Sequence, residues 1–153
     1  MKKTRKYSIS LLLLLLFVHP IAAAEETLPQ NGDRILLTFS DGTALSAEAG
    51  RIGLLGKDFD SYAPEEELIW RAWLQDDGSW ILENDGNRLS LAAQTLGLTL
   101  NGAYDRWHLS VTGETVTLSN AHSGWYLTWY PGPEVFGASE NVSEFSALGL
   151  CRL

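Results

Sequence analysis

The chain has 153 residues, of which 19 are acidic and 11 are basic, so its formal net charge is −8 at neutral pH. Hydrophobic residues make up 45% of it, which is enough for a folded core, and the length suits one domain rather than two. An acidic chain of this kind is repelled by nucleic acid and by anionic membrane surfaces, so neither is expected as a partner.

The first 24 residues have the pattern of a secretory signal peptide. Four basic residues come first, an apolar run extends from Ile9 to Val18, and Ala22-Ala23-Ala24 follows. The run is shorter than the roughly 20 apolar residues of a membrane span, so a membrane anchor is the less favoured alternative. We predict cleavage after Ala24, export to the periplasm or the extracellular space, and no transmembrane segment after cleavage. The short, lysine-rich start is typical of a bacterial leader.

Cleavage would make the chain more acidic. It would remove four basic and no acidic residues, leaving 7 basic against 19 acidic residues and a net charge of −12. Residues 25–32 are predicted to form a flexible lead-in, and residues 33–153 are predicted to form the folded domain.

From Asp33 onward the sequence predicts an all-β domain. Short β-favouring segments such as RILLTF, SWILEN and ETVTLSN are broken about every 8–12 residues by Gly, Asn and Asp. This spacing is typical of a sandwich or a barrel.

Three segments of about 37 residues resemble one another, beginning at Arg34, Arg71 and His108. Four columns of mostly apolar residues recur at this period, with one residue from each segment. They are Trp70, Trp107 and Phe145; Ile52, Leu89 and Leu127; Leu45, Leu82 and Leu118; and Leu37, Leu74 and Val111. We predict that these columns form the core.

Three such units, each offering about four short strands, resemble a β-trefoil, in which six strands form a barrel and three hairpins cap it. The stretch SGWYLTW (residues 123–129) is similar to the Gly-x-Tyr-Leu turn and strand of fascin-like trefoil domains. The resemblance covers about residues 33–150 and implies a lectin-like single domain, although trefoils also host protease inhibitors, growth factors and cross-linkers. The Gln-x-Trp tripeptide of ricin-type sugar-binding trefoils does not occur in the sequence. Another small antiparallel barrel or a sandwich is the alternative fold.

The repeat also separates core positions from candidate site positions. Leu127 and Trp129 match apolar residues in the other two segments and alternate on one face of a strand, so both are predicted to point inward. Trp125, Tyr126 and Tyr130 match mostly polar or small residues instead. These three aromatics are what the third repeat adds to the pattern.

We interpret the added aromatics as a candidate carbohydrate site, because the C–H face of a sugar ring stacks well on an aromatic ring. The turn before them supplies polar groups for sugar hydroxyls. The predicted ligand-binding residues are Trp125, Tyr126, Tyr130, His122 and Asn120. In the alternative interpretation, the rings close the barrel or pack under the 131–133 loop. Asn120, which matches Asn84, would then shape its turn.

No catalytic, metal or cofactor motif stands out in the sequence. His108 and His122 lack metal-ligand spacing, and neither a Gly-x-Ser-x-Gly elbow nor a phosphate-binding glycine loop occurs. The acid-rich segment 57–67 lacks the spacing of a calcium loop and is interpreted as solvated. The single cysteine, Cys151, cannot form an internal disulfide and is interpreted as a buried small side chain.

The sequence therefore predicts a non-catalytic binding module without a cofactor or metal, with a glycan or another cell-envelope component as its partner. A protein-binding role is the alternative, either as an envelope interaction partner or as a protease inhibitor. An inhibitor would present a loop from the 55–68 or the 130–144 region, where Lys57 is the one evident bait residue. An enzyme with an unrecognised carboxylate site is the third possibility.

Overall fold

The computed structural model describes residues 28–153, so the predicted signal peptide and the start of the predicted lead-in lie outside the described residues. Within this range the chain forms twelve strands and two 3₁₀ helices, Glu66–Leu68 and Glu144–Ser146. The strands are β1 (Arg34–Thr38), β2 (Thr43–Ala49), β3 (Leu54–Asp58), β4 (Trp70–Leu74), β5 (Trp80–Asn84), β6 (Asn87–Leu91), β7 (Leu98–Leu100), β8 (Trp107–Thr112), β9 (Thr115–Asn120), β10 (Tyr126–Tyr130), β11 (Val135–Ser139) and β12 (Gly149–Arg152). The prediction of an all-β domain is confirmed. In this part of the chain no helix is long and apolar enough to cross a bilayer.

Six of the strands close into a barrel. Antiparallel pairs join β1 to β4, β4 to β5, β5 to β8 and β8 to β9, and β12 pairs with β1. A bridge between Val116 in β9 and Leu148 beside β12 completes the ring. The other six strands form three antiparallel hairpins, β2–β3, β6–β7 and β10–β11. A six-stranded barrel with three hairpins is the β-trefoil architecture that the repeat predicts.

Two threefold layers of apolar side chains fill the barrel. They contain Ile35, Trp80 and Val116 in one layer and Leu37, Leu82 and Leu118 in the next, all of them buried. Because side chains alternate across a strand, residues two apart on β1, β5 and β9 share the interior face. The core therefore has threefold symmetry, but Leu37, not the predicted Leu45, is the counterpart of Leu82 and Leu118.

Strand register corrects the predicted columns in the first repeat. The pairing of β1 with β2 corresponds to that of β5 with β6 and of β9 with β10, and it places Leu45, not Ile52, in the position of Leu89 and Leu127. Ile52 lies at the tip of the β2–β3 hairpin and is 64% exposed. The predicted column with Ile52 is therefore wrong. The first repeat carries its extra residues in the long connection between β3 and β4, which shifts every earlier position.

The column of closing aromatics also changes at its third member. Trp70, Trp107 and Leu148 lie opposite corresponding residues of β1, β5 and β9, so Leu148 takes the place predicted for Phe145. Phe145 is partly buried and stacks on Phe39, with ring centroids 5.8 Å apart. The equal spacing was misleading because the connection before β12 is longer than the connection before β8.

The two closing tryptophans tie the hairpins to the barrel. The indole N–H of Trp70 donates to the carbonyl of Leu45 (3.0 Å), and that of Trp107 donates to the carbonyl of Leu89 (2.9 Å). All four residues are fully buried. A buried indole N–H needs such a partner, so these bonds place corresponding backbone carbonyls in two repeats.

Besides Ile52, three more residues predicted to be buried are exposed, namely Leu74, Val111 and Cys151. Leu74 and Val111 lie towards the outer ends of β4 and β8, whereas Ala72 is the buried residue of β4 beside Trp70. Cys151 pairs in register with Leu36, on the face of the sheet that points away from the barrel interior. By alternation Leu74 and Val111 share the faces of Trp70 and Trp107, so they are exposed because of their place towards the strand ends, whereas alternation does place Cys151 on the outward face.

The end of the predicted lead-in lies against β4. The side-chain oxygen of Asn31 accepts a hydrogen bond from the amide of Leu74 (2.9 Å), and the amide of Gly32 donates to the carbonyl of Ala72 (2.7 Å). Pro29 is buried. Residues 28–32 thus pack against the barrel where the structure describes them.

Candidate functional site

The turn between β9 and β10 is built by Asn120, one of the predicted ligand-binding residues. Asn120 is 1% exposed, and its Nδ2 donates to the carbonyl of Tyr104 (3.0 Å). Its Oδ1 accepts from the amides of His122 (3.0 Å) and Ser123 (3.2 Å). Both ends of the amide are therefore used inside the protein, and Asn120 holds the turn that carries Trp125.

His122 is exposed, but its ring stacks on Tyr104 with a centroid distance of 3.8 Å and an interplanar angle of 17°. This contact fixes the imidazole on the outside of the turn. The imidazole of His122 does not line the depression that Trp125 and Tyr130 share. His122 and Asn120 therefore support the turn rather than share a surface with the predicted aromatics.

Tyr130 lies flat on the outer face of the β10–β11 hairpin. Its hydroxyl donates to the carbonyl of Ala138 (3.0 Å), and its ring covers Gly137, where a β-carbon would come within 2.9 Å of Cε2. The side chain is anchored at both ends and still 37% exposed. A fixed, exposed ring of this kind is a ready surface for stacking.

Trp125 and Tyr130 share one depression of about 240 Å³, which we call the cap depression because it lies where the three hairpins meet. All three hairpins contribute to it, with Ile52 from β2–β3, Thr95 and Leu96 from β6–β7, and Pro133 from β10–β11. Among residues 28–153 no side chain that lines it is charged. A cavity of about 320 Å³ adjoins it and shares Ile52 and Thr95.

Tyr126 does not join the other two aromatics. It is half-buried, pairs with Ser119 of β9 and Ser139 of β11, and is not part of the lining of the depression. Leu127 and Trp129 are buried, which confirms their predicted place in the core. The structure thus brings together two of the three predicted rings.

The other nine lining residues were not predicted, and four of them are Ile52, Thr95, Leu96 and Pro133. Each of these four lies at or beside a hairpin tip, and the tips meet only in the folded cap. The one signal in the sequence was the Gly50-Arg51-Ile52-Gly53 stretch, whose flanking glycines mark a turn rather than a core strand.

The acid-rich segment 57–67 is partly organised by ion pairs. The ammonium of Lys57 binds the carboxylates of Glu48 and Glu67, the latter at 2.5 Å. Hydrogen bonds from Glu48 and Glu67 raise the pKa of Lys57 above its ordinary value, and the bond to Lys57 lowers the pKa of Glu67. Lys57 is therefore held by its neighbours rather than presented as a bait residue. In the described part of the chain, no three acidic, histidine or cysteine side chains converge as metal ligands would.

The strand pairings define a β-trefoil domain, and comparison with known proteins agrees on the fold. No family model and no curated protein matches the sequence, whereas many solved structures match the fold. A Macrolepiota procera ricin B-like lectin in complex with lactose gives a TM-score of 0.67 at 12% identity, over 83% of this chain and 100% of the lectin. SeviL bound to an asialo-GM1 saccharide gives 0.62 at 16%, over 79% and 98% of the two chains.

An enzyme also contains a domain of this shape. A GlcNAcα1-4Gal-releasing endo-β-galactosidase from Clostridium perfringens gives a TM-score of 0.66 at 16% identity, over 79% of this chain. The match covers 32% of that enzyme, so this chain spans about a third of its length. These similarities confirm the β-trefoil fold of this protein.

Proposed function

We propose that the protein is an exported, non-catalytic carbohydrate-binding module and that the cap depression is its sugar site. The observation that carries the proposal is that Trp125 and Tyr130 line one uncharged depression where the three hairpins meet. Trp125 is half-buried against the core and Tyr130 is 37% exposed, and aromatic rings that border a concave, mostly apolar site suit the stacking of a sugar ring.

The size and chemistry of the depression suit a neutral sugar. A volume of about 240 Å³ is below the roughly 300–1,000 Å³ of sites for drug-sized ligands, so it accommodates one ring, and the adjoining cavity offers room for a second. Across residues 28–153 the lining holds no carboxylate, histidine or lysine that could act as a general acid or base, and the hydroxyl of Tyr130 is bonded to the carbonyl of Ala138. The acidic protein as a whole disfavours a charged, acidic glycan.

The solved neighbours support the ligand class. The Macrolepiota procera lectin is in complex with lactose, and SeviL is bound to an asialo-GM1 saccharide. Both similarities lie far below the identity at which a site transfers between proteins, so the residues of the site rest on the geometry of this chain.

A glycan array probed with the purified protein and matched variants tests the proposal. Trp125→Ala and Tyr130→Ala should each weaken binding at least about tenfold, because each removes one stacking surface. Ile52→Arg should also abolish binding by filling the depression from a position that is largely exposed and therefore not needed for folding. Tyr62→Ala is the control, since Tyr62 is 97% exposed and lies outside the depression.

Three results would contradict the proposed site. They are full binding by folded Ile52→Arg, equal losses in Tyr62→Ala, and no binding of the wild-type protein to any glycan. Circular dichroism and urea unfolding of each variant separate loss of the site from loss of the fold.

Export is tested separately by the start of the protein recovered from expressing bacteria. Mass spectrometry should find a chain that begins at Glu25 in the periplasmic or culture fraction. An intact leader in the membrane fraction would instead support the membrane-anchor interpretation.

A protein-binding role is the second candidate, and one observation favours it. Tyr62, in the long connection between β3 and β4, is almost fully exposed. Val142, in the connection between β11 and β12, is 61% exposed. Apolar side chains at loop tips are typical contact points for a protein partner. A cross-linking pull-down from envelope extract that is lost on Tyr62→Ala, but kept on Ile52→Arg, would favour this role over sugar binding.

A further inference from the structure

A third cavity, of about 670 Å³, lies away from the cap depression and, among the described residues, shares no lining residue with it. It is lined by the start of β1, the start of β4, the end of β5 and the 3₁₀ helix Glu66–Leu68. Its charged lining consists of Glu66, Glu67, Glu83 and Asp85 against Arg34 and Arg71. The groove therefore carries an excess of negative charge within a chain that is itself acidic.

Both arginines of the groove have a partner in the protein, although the aromatic contact of Arg71 leaves its charge unneutralised. The guanidinium of Arg34 lies 3.6 Å from a carboxylate oxygen of Glu66, and that of Arg71 lies over the ring of Trp73, 5.6 Å from its centre. Glu67 is paired with Lys57. Of the four acidic residues in the groove, Glu66 and Glu67 therefore have basic partners, and Glu83 and Asp85 remain to be considered.

Glu83 and Asp85 have no ion-pair partner among residues 28–153. Glu83 lies opposite Arg71 on one side and Arg88 on the other, yet Arg88 pairs with Asp105 at 3.0 Å. The carboxylates at the end of β5 thus form no direct ion pair within this range, although Arg71 and Arg88 lie opposite Glu83 in the sheet.

The side chain of Asn84 supplies a second, independent indication of a ligand-binding groove. Its side chain lines the groove and is 8% exposed. Its Nδ2 donates to the carbonyls of Glu66 (2.7 Å) and Ile69 (2.8 Å), and since both partners are acceptors, the nitrogen must face them. Within the described range Oδ1 accepts no hydrogen bond, so an acceptor is left open on a residue that lines the same groove as the two carboxylates.

The third repeat shows what a purely structural asparagine looks like at this position. Asn120 ends β9 as Asn84 ends β5, and its Oδ1 is filled by the amides of His122 and Ser123 in its own turn. The turn after Asn84 is only Asp85-Gly86, with φ values of 46° and 80°, so it offers no amides in that position. The shorter turn opens the acceptor to the groove.

Open acceptors and excess carboxylates select the chemistry of the ligand. A donor-rich cation is favoured, and an anion is repelled. No three acidic side chains in the described part of the chain converge on one point, which argues for an extended organic cation rather than a metal ion. None of the groove's lining residues is aromatic, so it lacks the stacking surface expected of a sugar site.

We propose that this groove binds an aliphatic ammonium group, with Glu83 and Asp85 as counter-charges and Asn84 as the hydrogen-bond acceptor. A free polyamine and the lysine side chain of a basic peptide both carry this group. The site is separate from the cap depression and does not depend on the proposed sugar function.

Titration of the ¹⁵N-labelled protein with spermidine and, separately, with tetralysine tests the proposal. Binding of either probe should shift the side-chain amide of Asn84 and the backbone amide of Gly86, and the stronger probe identifies the natural source of the ammonium group. Glu83→Gln with Asp85→Asn should weaken the affinity about tenfold, as expected for the loss of two partly exposed charge contacts. Asparagine suits the positive φ at position 85, so this variant keeps the turn.

The matched control is Asp76→Asn with Glu114→Gln. These exposed carboxylates lie in other turns, and the substitutions change the net charge by the same amount. The control should bind both probes as the wild type does. Equal weakening in the two double variants, shifts spread over the acidic surface, or no binding of either probe would overturn the proposal.

Discussion

The ring of Tyr130 lies across the β10–β11 hairpin on Gly137, with the tyrosine hydroxyl bonded to the carbonyl of Ala138. The absence of a side chain at Gly137 is what lets the ring lie flat beside Trp125 at the cap depression. A β-carbon there would come within 2.9 Å of the ring, so any larger residue must displace it. The orientation of one candidate ligand contact therefore depends on a glycine in the neighbouring strand.

Gly137→Ala should weaken glycan binding while leaving the domain folded. The displaced ring is exposed, so it can swing outward at a cost of no more than about 1 kcal/mol of unfolding free energy. Gly132→Ala, in the same hairpin, is the control, because a β-carbon there meets no atom within 4 Å. Glycan-array binding and urea unfolding of both variants check the expectation, which fails if Gly137→Ala binds as well as Gly132→Ala.

Trp107→Phe should destabilise the domain more than Trp129→Phe. The first change leaves the buried carbonyl of Leu89 without its donor, which costs about 1–3 kcal/mol in addition to the lost packing. The indole N–H of Trp129 is buried without a partner among residues 28–153, so its removal relieves an unmet polar group. Urea unfolding of the two variants gives the comparison, and a larger loss for Trp129→Phe would contradict it.

Asn120→Ala should lower stability by about 1–3 kcal/mol and should also weaken sugar binding. It removes the acceptor for two turn amides and the donor to Tyr104, and the turn it holds carries Trp125. Asn120→Asp keeps the acceptor for the amides and should retain more of both properties. Thermal unfolding and glycan binding should therefore rank the wild type first, Asp second and Ala last; Asp no better than Ala would show that the turn bonds are unimportant.

The ion pairs of Lys57 predict how its stabilising effect varies with pH. Because Glu48 and Glu67 raise its pKa, the contribution is complete below the ordinary value of 10.5 and is lost as the pH rises through the raised value. Because Lys57 lowers the pKa of Glu67, the contribution is present above 4.5 and is lost as the pH falls through the lowered value. The difference in unfolding midpoint between the wild type and Lys57→Met should be largest near neutral pH and shrink at both extremes. A pH-independent difference would mean that Lys57 acts through packing alone.

The β-character, the threefold repeat and the inward faces of Leu127 and Trp129 were predictable, because alternation along a strand is a local property of the sequence. Matching Ile52 with Leu89 failed because equivalence between repeats depends on which strands pair, and an insertion between β3 and β4 leaves the period looking regular. The match of Phe145 with Trp70 and Trp107 failed for the same reason, because strand pairing gives that position to Leu148.

By itself, then, the sequence determined a threefold β-domain and pointed to the added aromatics of the third repeat. Only the tertiary structure decided that Trp125 and Tyr130 share a surface and that Tyr126, His122 and Asn120 lie outside it. It also brought Ile52, Thr95 and Pro133 to that surface from three separate hairpins. The reason is physical: a strand's pattern specifies which side of the sheet a residue faces, whereas the meeting of hairpin tips requires the closed barrel.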